Sequence, residues 1–234
     1  MKAAILFFVI LFGMNSCSDD GYPLLESEPE IQKPPLVSKL TMRRSGRNEI
    51  FRFEYDEKNR IKKIFIETPS QFTWTYIYND DDYVVTIYDS AGPESKMDFF
   101  YNDQHILTGY KPFFDEISPI TYNPETLTYV VGPSTYIMNA AADVASTTFI
   151  DYEYSGGKGI FSNVVGKNIS LINHMILQLP YVCSKKAIKE INLSSNGNPA
   201  YEINTTSNSE GDPLELHFIG KLPNYTDIFF DVEY

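Results

Sequence analysis

"FRFEYDEKNRIKKIFI" (51–66), "FTWTYIYNDDDYVVTIY" (72–88) and "KMDFFYNDQHILTGY" (96–110) are three versions of one unit. Aligned on Tyr55, Tyr78 and Tyr101, each continues with Asp or Asn and then an acid, at Glu57, Asp80 and Asp103. Six positions after the tyrosine comes an aliphatic residue, Ile61, Val84 or Leu107. The three tyrosines stand 23 residues apart. A fixed period of that length marks one supersecondary unit used repeatedly. Weaker versions follow at "ITYNPETLTYV" around Tyr122 and "IDYEYSGGKGI" around Tyr154.

Each unit reads as strand, turn, strand. Phe51, Phe53 and Tyr55 alternate with Arg52 and Glu54, and Met97, Phe99 and Tyr101 alternate with Asp98 and Phe100. Such alternation puts aromatics on one face of a strand and polar groups largely on the other. "DEKN", "NDDD" and "NDQH" supply Asn and Asp, whose side chains bond their own backbone in turns. Second strands follow at Ile61–Ile66, Val84–Tyr88 and Ile106–Tyr110, and Asn196-Gly197 is a hairpin signal. The expected fold is mainly β: a curved antiparallel meander, or an open or partly closed barrel of repeated hairpins, with one or two short helices. "ISLINHMILQL" (169–179) has Leu171, Ile172, Met175, Ile176 and Leu179 at helical spacing before Pro180, and is expected to plug or cap one end of the sheet. The Ala-rich "MNAAADVAS" (138–146) is the second candidate helix.

The N-terminus gives an address. Lys2 is the only charge before Asp19, and residues 3–14 are apolar apart from Gly13. That run is too short to span a bilayer as a helix and suits the apolar region of a secretory signal. In "FGMNSC" (12–17), Met14 and Ser16 lead to Cys17, which resembles the lipobox of bacterial lipoproteins. The resemblance implies a signal peptide over 1–16, lipid on Cys17 and attachment to a membrane through that lipid. Two or three acyl chains hold a domain on a membrane stably where one does not. Residues 17–36 then form an acidic, proline-rich tether, and Ser18-Asp19-Asp20 resembles the acidic tag of surface-exported lipoproteins of Bacteroides-like bacteria. The expected location is the outer membrane, lipid-anchored and facing the cell surface. Residues 37–234 fit a single β-rich domain.

The stretch from Phe51 to Ile61 also resembles the Tyr-Asp (YD) repeat of Rhs-type proteins, Y-D-x-x-G-R-L, with Asn59 where glycine is usual. A lipobox followed by a few degenerate YD units resembles a lipoprotein family of Bacteroides-like bacteria, of unknown function and described as porin-like in fold. That resemblance implies a strongly curved meander or open barrel and no known activity.

Composition narrows the partners. The chain of 234 residues carries a formal charge of −12, with 17 Tyr, 16 Phe and one Trp. A basic face, the usual footprint of nucleic-acid binding, is not expected from such a balance, so no nucleic-acid partner is expected. The aromatics suit strands. Trp74, Tyr76 and Tyr78 share one strand face, where they either pack in a cross-strand ladder or form a platform for sugar rings or peptide side chains. A ligand-binding module predicts that this aromatic face stays exposed. A structural envelope protein predicts that the 169–179 segment covers it.

Catalytic signals are weak. His105, His174 and His217 lie far apart, and no Cys-x-x-Cys, His-Glu-x-x-His or Gly-x-Ser-x-Gly occurs. No catalytic residue, cofactor site or metal site is therefore assigned. An enzyme would require one of the three histidines to meet carboxylates in a cleft. Asp80-Asp81-Asp82 and "NSEGD" (208–212) read as turns, since calcium loops need oxygens at alternating positions. Cys183 reads as a small buried hydrophobe rather than a thiol activated by Lys185 and Lys186. The C-terminal "DIFFDVEY" looks like the last strand of an outer-membrane barrel, but Arg52, Glu54, Lys62 and Lys63 put charge on short strands where such barrels carry an uninterrupted apolar face. Together these features are expected of a lipid-anchored surface binding or adhesion module for a glycan or protein.

Overall fold

A computed structural model describes residues 34–234 other than 69, 70, 93, 113, 114 and 178–182. The signal segment, Cys17, most of the tether, Leu179 and Pro180 lie outside the described residues. Eight strands run from the first hairpin to the middle of the chain: β1 (Lys39–Arg44), β2 (Arg47–Tyr55), β3 (Ile61–Ile66), β4 (Phe72–Tyr78), β5 (Val84–Tyr88), β6 (Lys96–Tyr101), β7 (Leu107–Pro112) and β8 (Ser118–Asn123). Four more, β9 (Thr128–Val131), β10 (Ser134–Met138), β11 (Val144–Thr147) and β12 (Ile150–Lys158), precede the helix α1 (Ile169–Leu177). The set ends with β13 (Lys186–Leu193), β14 (Pro199–Ser207), β15 (Pro213–Gly220) and β16 (Ile228–Glu233).

Every strand pairs antiparallel with its sequence neighbours, and β1 pairs with β16, so the sheet is a closed 16-strand barrel. Closure completes the open or partly closed form expected from the repeats. It follows from "DIFFDVEY" matching β1 residue for residue: Lys39 lies opposite Glu233, with an ion pair at 2.6 Å, and Arg43 lies opposite Phe229 and reaches diagonally to Asp231 at 2.8 Å.

The alternation sorts the wall. Leu40, Phe51, Ile64, Ile87, Leu107, Ile191, Phe218 and Phe230 face inward and are fully or almost fully buried. Burying each such side chain contributes about 1.5–3 kcal/mol. Their neighbours face outward and include Lys39, Arg43, Arg52, Glu54, Lys63, Asp98, Glu153, Glu202 and Asp231, many of them in ion pairs on the wall. A membrane barrel has the opposite polarity, with an apolar band outside and a polar lumen. This wall is built to face water.

The helix fills the lumen. Ser170 Oγ accepts a bond from the Val144 amide of β11 at 3.4 Å. The inward-facing Tyr76 of β4 donates its hydroxyl to Asn173 Oδ1 at 2.9 Å, and His174 meets the ring of Tyr152 on β12 edge to face. Ile169, Leu171 and Ile172 are buried, as their helical spacing predicts. The expected second helix over 138–146 is absent: residues 139–143 form a tight loop between β10 and β11. Asn139 Oδ1 accepts the amides of Ala141 and Asp143 at 2.8 and 3.0 Å, and Ala142 takes φ +62°. A side chain that captures backbone amides competes directly with a helical turn.

Candidate functional site

The repeated unit builds one end of the barrel, here the tip end. Asp56, Asn79 and Asn102 each accept, through Oδ1, the amide four residues on, from Arg60, Tyr83 and Ile106, at 2.9–3.0 Å. Asn139 and Asn208 close the same loop on Asp143 and Asp212 at 3.0 and 2.8 Å. One residue before each bonded amide, the backbone turns left-handed, at Asn59, Asp82, His105, Ala142 and Gly211. Asn tolerates that conformation readily, which is why Asn59 serves where a glycine would.

The tyrosines have a separate task. A register shift falls immediately before Tyr55, Tyr78 and Tyr101. It aims each hydroxyl at the carbonyl of the preceding hairpin: Tyr55 at Val37, Tyr78 at Ile61 and Tyr101 at Val84, at 2.7–2.9 Å. Ile61 and Val84 are the aliphatic residues six past the previous tyrosine. The two repeated positions are thus the two halves of one contact, and desolvation in that setting pushes the tyrosine pKa values up.

The residues before α1 close the tip end. Val165 donates its amide to Asn59 O and Lys167 to Asp82 O, both at 3.0 Å, so the segment reads successive tips as a parallel strand would. Arg60 ties two tips together, bonding Asp56 and Asp82 while its guanidinium lies 4.5 Å above the Tyr78 ring. Asp80–Asp82 form a solvated hairpin tip, as the sequence suggests, and 208–212 is a turn.

Trp74 and Tyr76 are buried in the lumen, where Trp74 packs on Phe72 and Tyr76 bonds Asn173 of α1, and Tyr78 is half-buried under Arg60, so this aromatic face packs inward rather than standing exposed. The cross-strand packing reading holds for these residues. Cys183 is buried; burial pushes its thiol up to about 12, against a bond from Asn173. Neither lysine activates it through charge: the amides of Lys185 and Lys186 instead hold the buried Asp143 carboxylate at 2.8 and 3.2 Å. Loss of water around Asp143 raises its pKa despite those two bonds.

The histidines separate into three settings. His174 is buried, donates Nδ1–H to Ser170 O at 2.8 Å, and is depressed to about 4 by burial. His105 stacks on Tyr83 at the tip end, 3.7 Å from Asp81. His217 lines a cleft and bonds a carboxylate, Asp227, that is not among the cleft's lining residues. Its Nε2 is 3.0 Å from Asp227 Oδ2, and Asp227 also accepts the Gly220 amide at 3.0 Å, which together hold that carboxyl below its ordinary range.

That cleft is on the outer wall across β14, β15, β16 and β1. It has a volume of about 400 Å³, and Arg43, Asn204, Glu215, His217, Phe229 and Asp231 line it. The His217 ring stacks on Phe229 at 4.1 Å, and the Arg43 guanidinium lies 5.5 Å from the same ring. A second outer cleft between β2, β3 and β4 presents Arg52, Glu54, Phe65, Glu67 and Thr73. Each sets an aromatic side chain among donors and acceptors, a chemistry suited to sugars and peptides. Thr206 is the hydroxyl in the first cleft, and no serine or cysteine lines it. Sequence reasoning missed both clefts; in the first, Arg43 and Phe229 meet only through closure of the barrel.

No family model and no curated protein matches the chain. Among solved structures, it is similar to a porin-like protein from Bacteroides uniformis ATCC 8492, with a TM-score of 0.46 and 13% identity over 84% of this chain and 96% of that one. A porin-like protein from Bacteroides vulgatus ATCC 8482 gives 0.42 and 10% over 85% and 98%.

Proposed function

We propose that the protein is a lipid-anchored component of a Gram-negative cell envelope that captures a glycan or protein on the outside of its barrel. One observation carries the reading: the lumen is apolar and occupied by α1, whereas the outer wall is charged and carries the aromatic clefts. Such a molecule offers a rigid polar surface outside for a glycan or protein partner. Cys17 would be the anchor and residues 18–36 would set the reach of the domain. The recurring Tyr-Asx unit supports kinship with the YD-repeat lipoproteins named above.

A structural, periplasm-facing envelope protein is the second reading, favoured by the cover that α1 places over Tyr76. A hydrolase built on His217 and Asp227 ranks third, since the imidazole lines the cleft and its carboxylate does not, and the cleft offers only a threonine as nucleophile. Protease shaving of intact cells, with wild type beside Cys17→Ala, separates the first two. Shaving of a membrane-bound wild type supports surface capture. Membrane attachment with full protection supports the structural role, and attachment that survives Cys17→Ala refutes the anchor. Capture itself is tested by Phe229→Ala, which should abolish retention of cells on surface glycans or proteins that hold the wild type.

A further inference from the structure

Opposite the tip end, β6, β7, β9 and β10 stand away from α1 and leave a cavity of about 220 Å³ in the mouth of the lumen. Met97, Tyr110, Val131, Ser134, Tyr136 and Met175 line it, and among the described residues no charged side chain does. Tyr136 is bonded to Ser134, while the Tyr110 hydroxyl has no hydrogen-bond partner among the described residues.

At this end of the barrel Glu94, Asp115 and Glu116 carry charge, and two large apolar side chains also stand exposed. Ile117, in the β7–β8 connection, is 57% exposed, and Phe149, in the β11–β12 turn, is 73% exposed. These are the two most exposed large apolar side chains among the described residues, and their turns flank the β9–β10 turn that forms the cavity wall. The Thr135 amide donates to Thr148 Oγ1 at 2.8 Å, fixing the Phe149 turn beside that wall. Between Ile117 and Phe149 the only charged residues are Glu125 and Asp143, and both belong to tip-end turns. Single exposed apolar residues need no explanation. Ile117 lies over Gly109 and the exposed Phe100 on the outer wall, so the site is defined by the cavity lining itself.

We propose that this cavity binds a neutral, largely apolar small molecule of one or two rings that carries a hydrogen-bond acceptor for Tyr110. Size sets the class: an apolar cavity of roughly 150 Å³ suffices for benzene, so this one admits a somewhat larger ring system. The lining sets the charge, because an ion would lose its water with no partner to replace it. Two methionines suit the role, since their unbranched side chains fill irregular gaps and adapt to the occupant. The site uses the lumen mouth and none of the outer-wall clefts, so it does not rest on the capture reading above.

The test uses the full chain and 4-fluoroacetophenone, followed by ¹⁹F NMR line broadening. Wild type should broaden the signal saturably. Met175→Trp, whose indole fills the cavity, should weaken binding at least tenfold. Tyr110→Phe should weaken 4-fluoroacetophenone severalfold and leave fluorobenzene, which lacks the acceptor, unchanged. The anion 4-fluorobenzoate should bind at least tenfold more weakly than the ketone. Unsaturable broadening, equal binding by Met175→Trp, or equal binding of the anion overturns the proposal. If Met175→Trp does not fold by circular dichroism, Val131→Phe fills the same space and is read by the same criteria.

Discussion

Lowering the pH should destabilise this barrel through one buried imidazole, and His174→Leu should remove the effect. His174 sits on α1 inside the lumen with its proton on Nδ1 committed to Ser170 O, and its other ring nitrogen is buried without a partner among the described residues. Protonation would place a charge among apolar side chains, which is why burial depresses the folded pKa to about 4 from 6.5. Between those values the unfolded chain binds a proton that the folded chain refuses. Stability therefore rises with pH across the window, is fully present above about pH 6.5, and is lost as pH falls toward 4. A shift of two to three pH units corresponds to about 3 kcal/mol, a large share of the roughly 5–15 kcal/mol that holds a typical domain folded. The carboxylates held down by partners, such as Asp56 and Asp98, lose their contribution only below the window, near and under pH 4. Asp143, raised by burial, acts with the opposite sign and is common to both proteins, as are His105 and His217. Urea unfolding read by Trp74, the only tryptophan, gives the comparison at pH 7, 6, 5 and 4.5. The wild type should lose the extra stability over this range relative to His174→Leu. Parallel curves for the two proteins would refute the reasoning.

Three further outcomes follow from the same geometry. Tyr78→Phe leaves the Ile61 carbonyl without its donor and should cost about 1 kcal/mol, with Tyr55→Phe and Tyr101→Phe similar, as measured by urea midpoints. At Gly159 a Cβ would run into the Ser184 and Lys186 carbonyls, whereas at Gly156 it would meet nothing within 4 Å; Gly159→Ala should therefore cost more than about 3 kcal/mol or prevent folding, and Gly156→Ala should leave the thermal midpoint within a few degrees. Added to planar lipid bilayers, the protein should give no stepwise conductance, because its wall is charged and its lumen is filled; discrete single-channel currents would overturn that account.

Much of the fold was legible because short-range chemistry repeats it. The 23-residue spacing fixed which residues turn and which pair, and the left-handed residues Asn59, Asp82 and His105 fall at the same place in each unit. Leu171, Ile172, Met175 and Ile176 announced a helix through their spacing alone. The loop at 139–143 was misread because three alanines carry the best helix propensity, yet so short a run cannot nucleate a helix and Asn139 takes its amides. Closure was not legible. Alternation says which face of a strand is apolar but not how many strands complete the circle, and the partner of β1 is chosen by register against β16. The His217 cleft shares that fate, since Arg43 and Phe229 are opposite one another on the sheet and remote along the chain, whereas the second cleft lies across three consecutive strands and depends on which outward side chains leave a gap. The buried aromatic face had two readings until the closed sheet packed it inward.

The pairing of Lys39 with Glu233 joins residues 194 positions apart, while nearly every other strand contact is between neighbours in sequence. Local hairpins close at little entropic cost, but joining the two edges must wait for all of them. Until then the intermediate is a long curled sheet with two unsatisfied edges and its apolar lumen open to solvent. Such edges are templates for pairing with another chain. Exchange of β16 between two molecules would satisfy both edges with the same contacts, so the topology predicts strand-swapped dimers when the protein is refolded at high concentration, measured by size-exclusion chromatography.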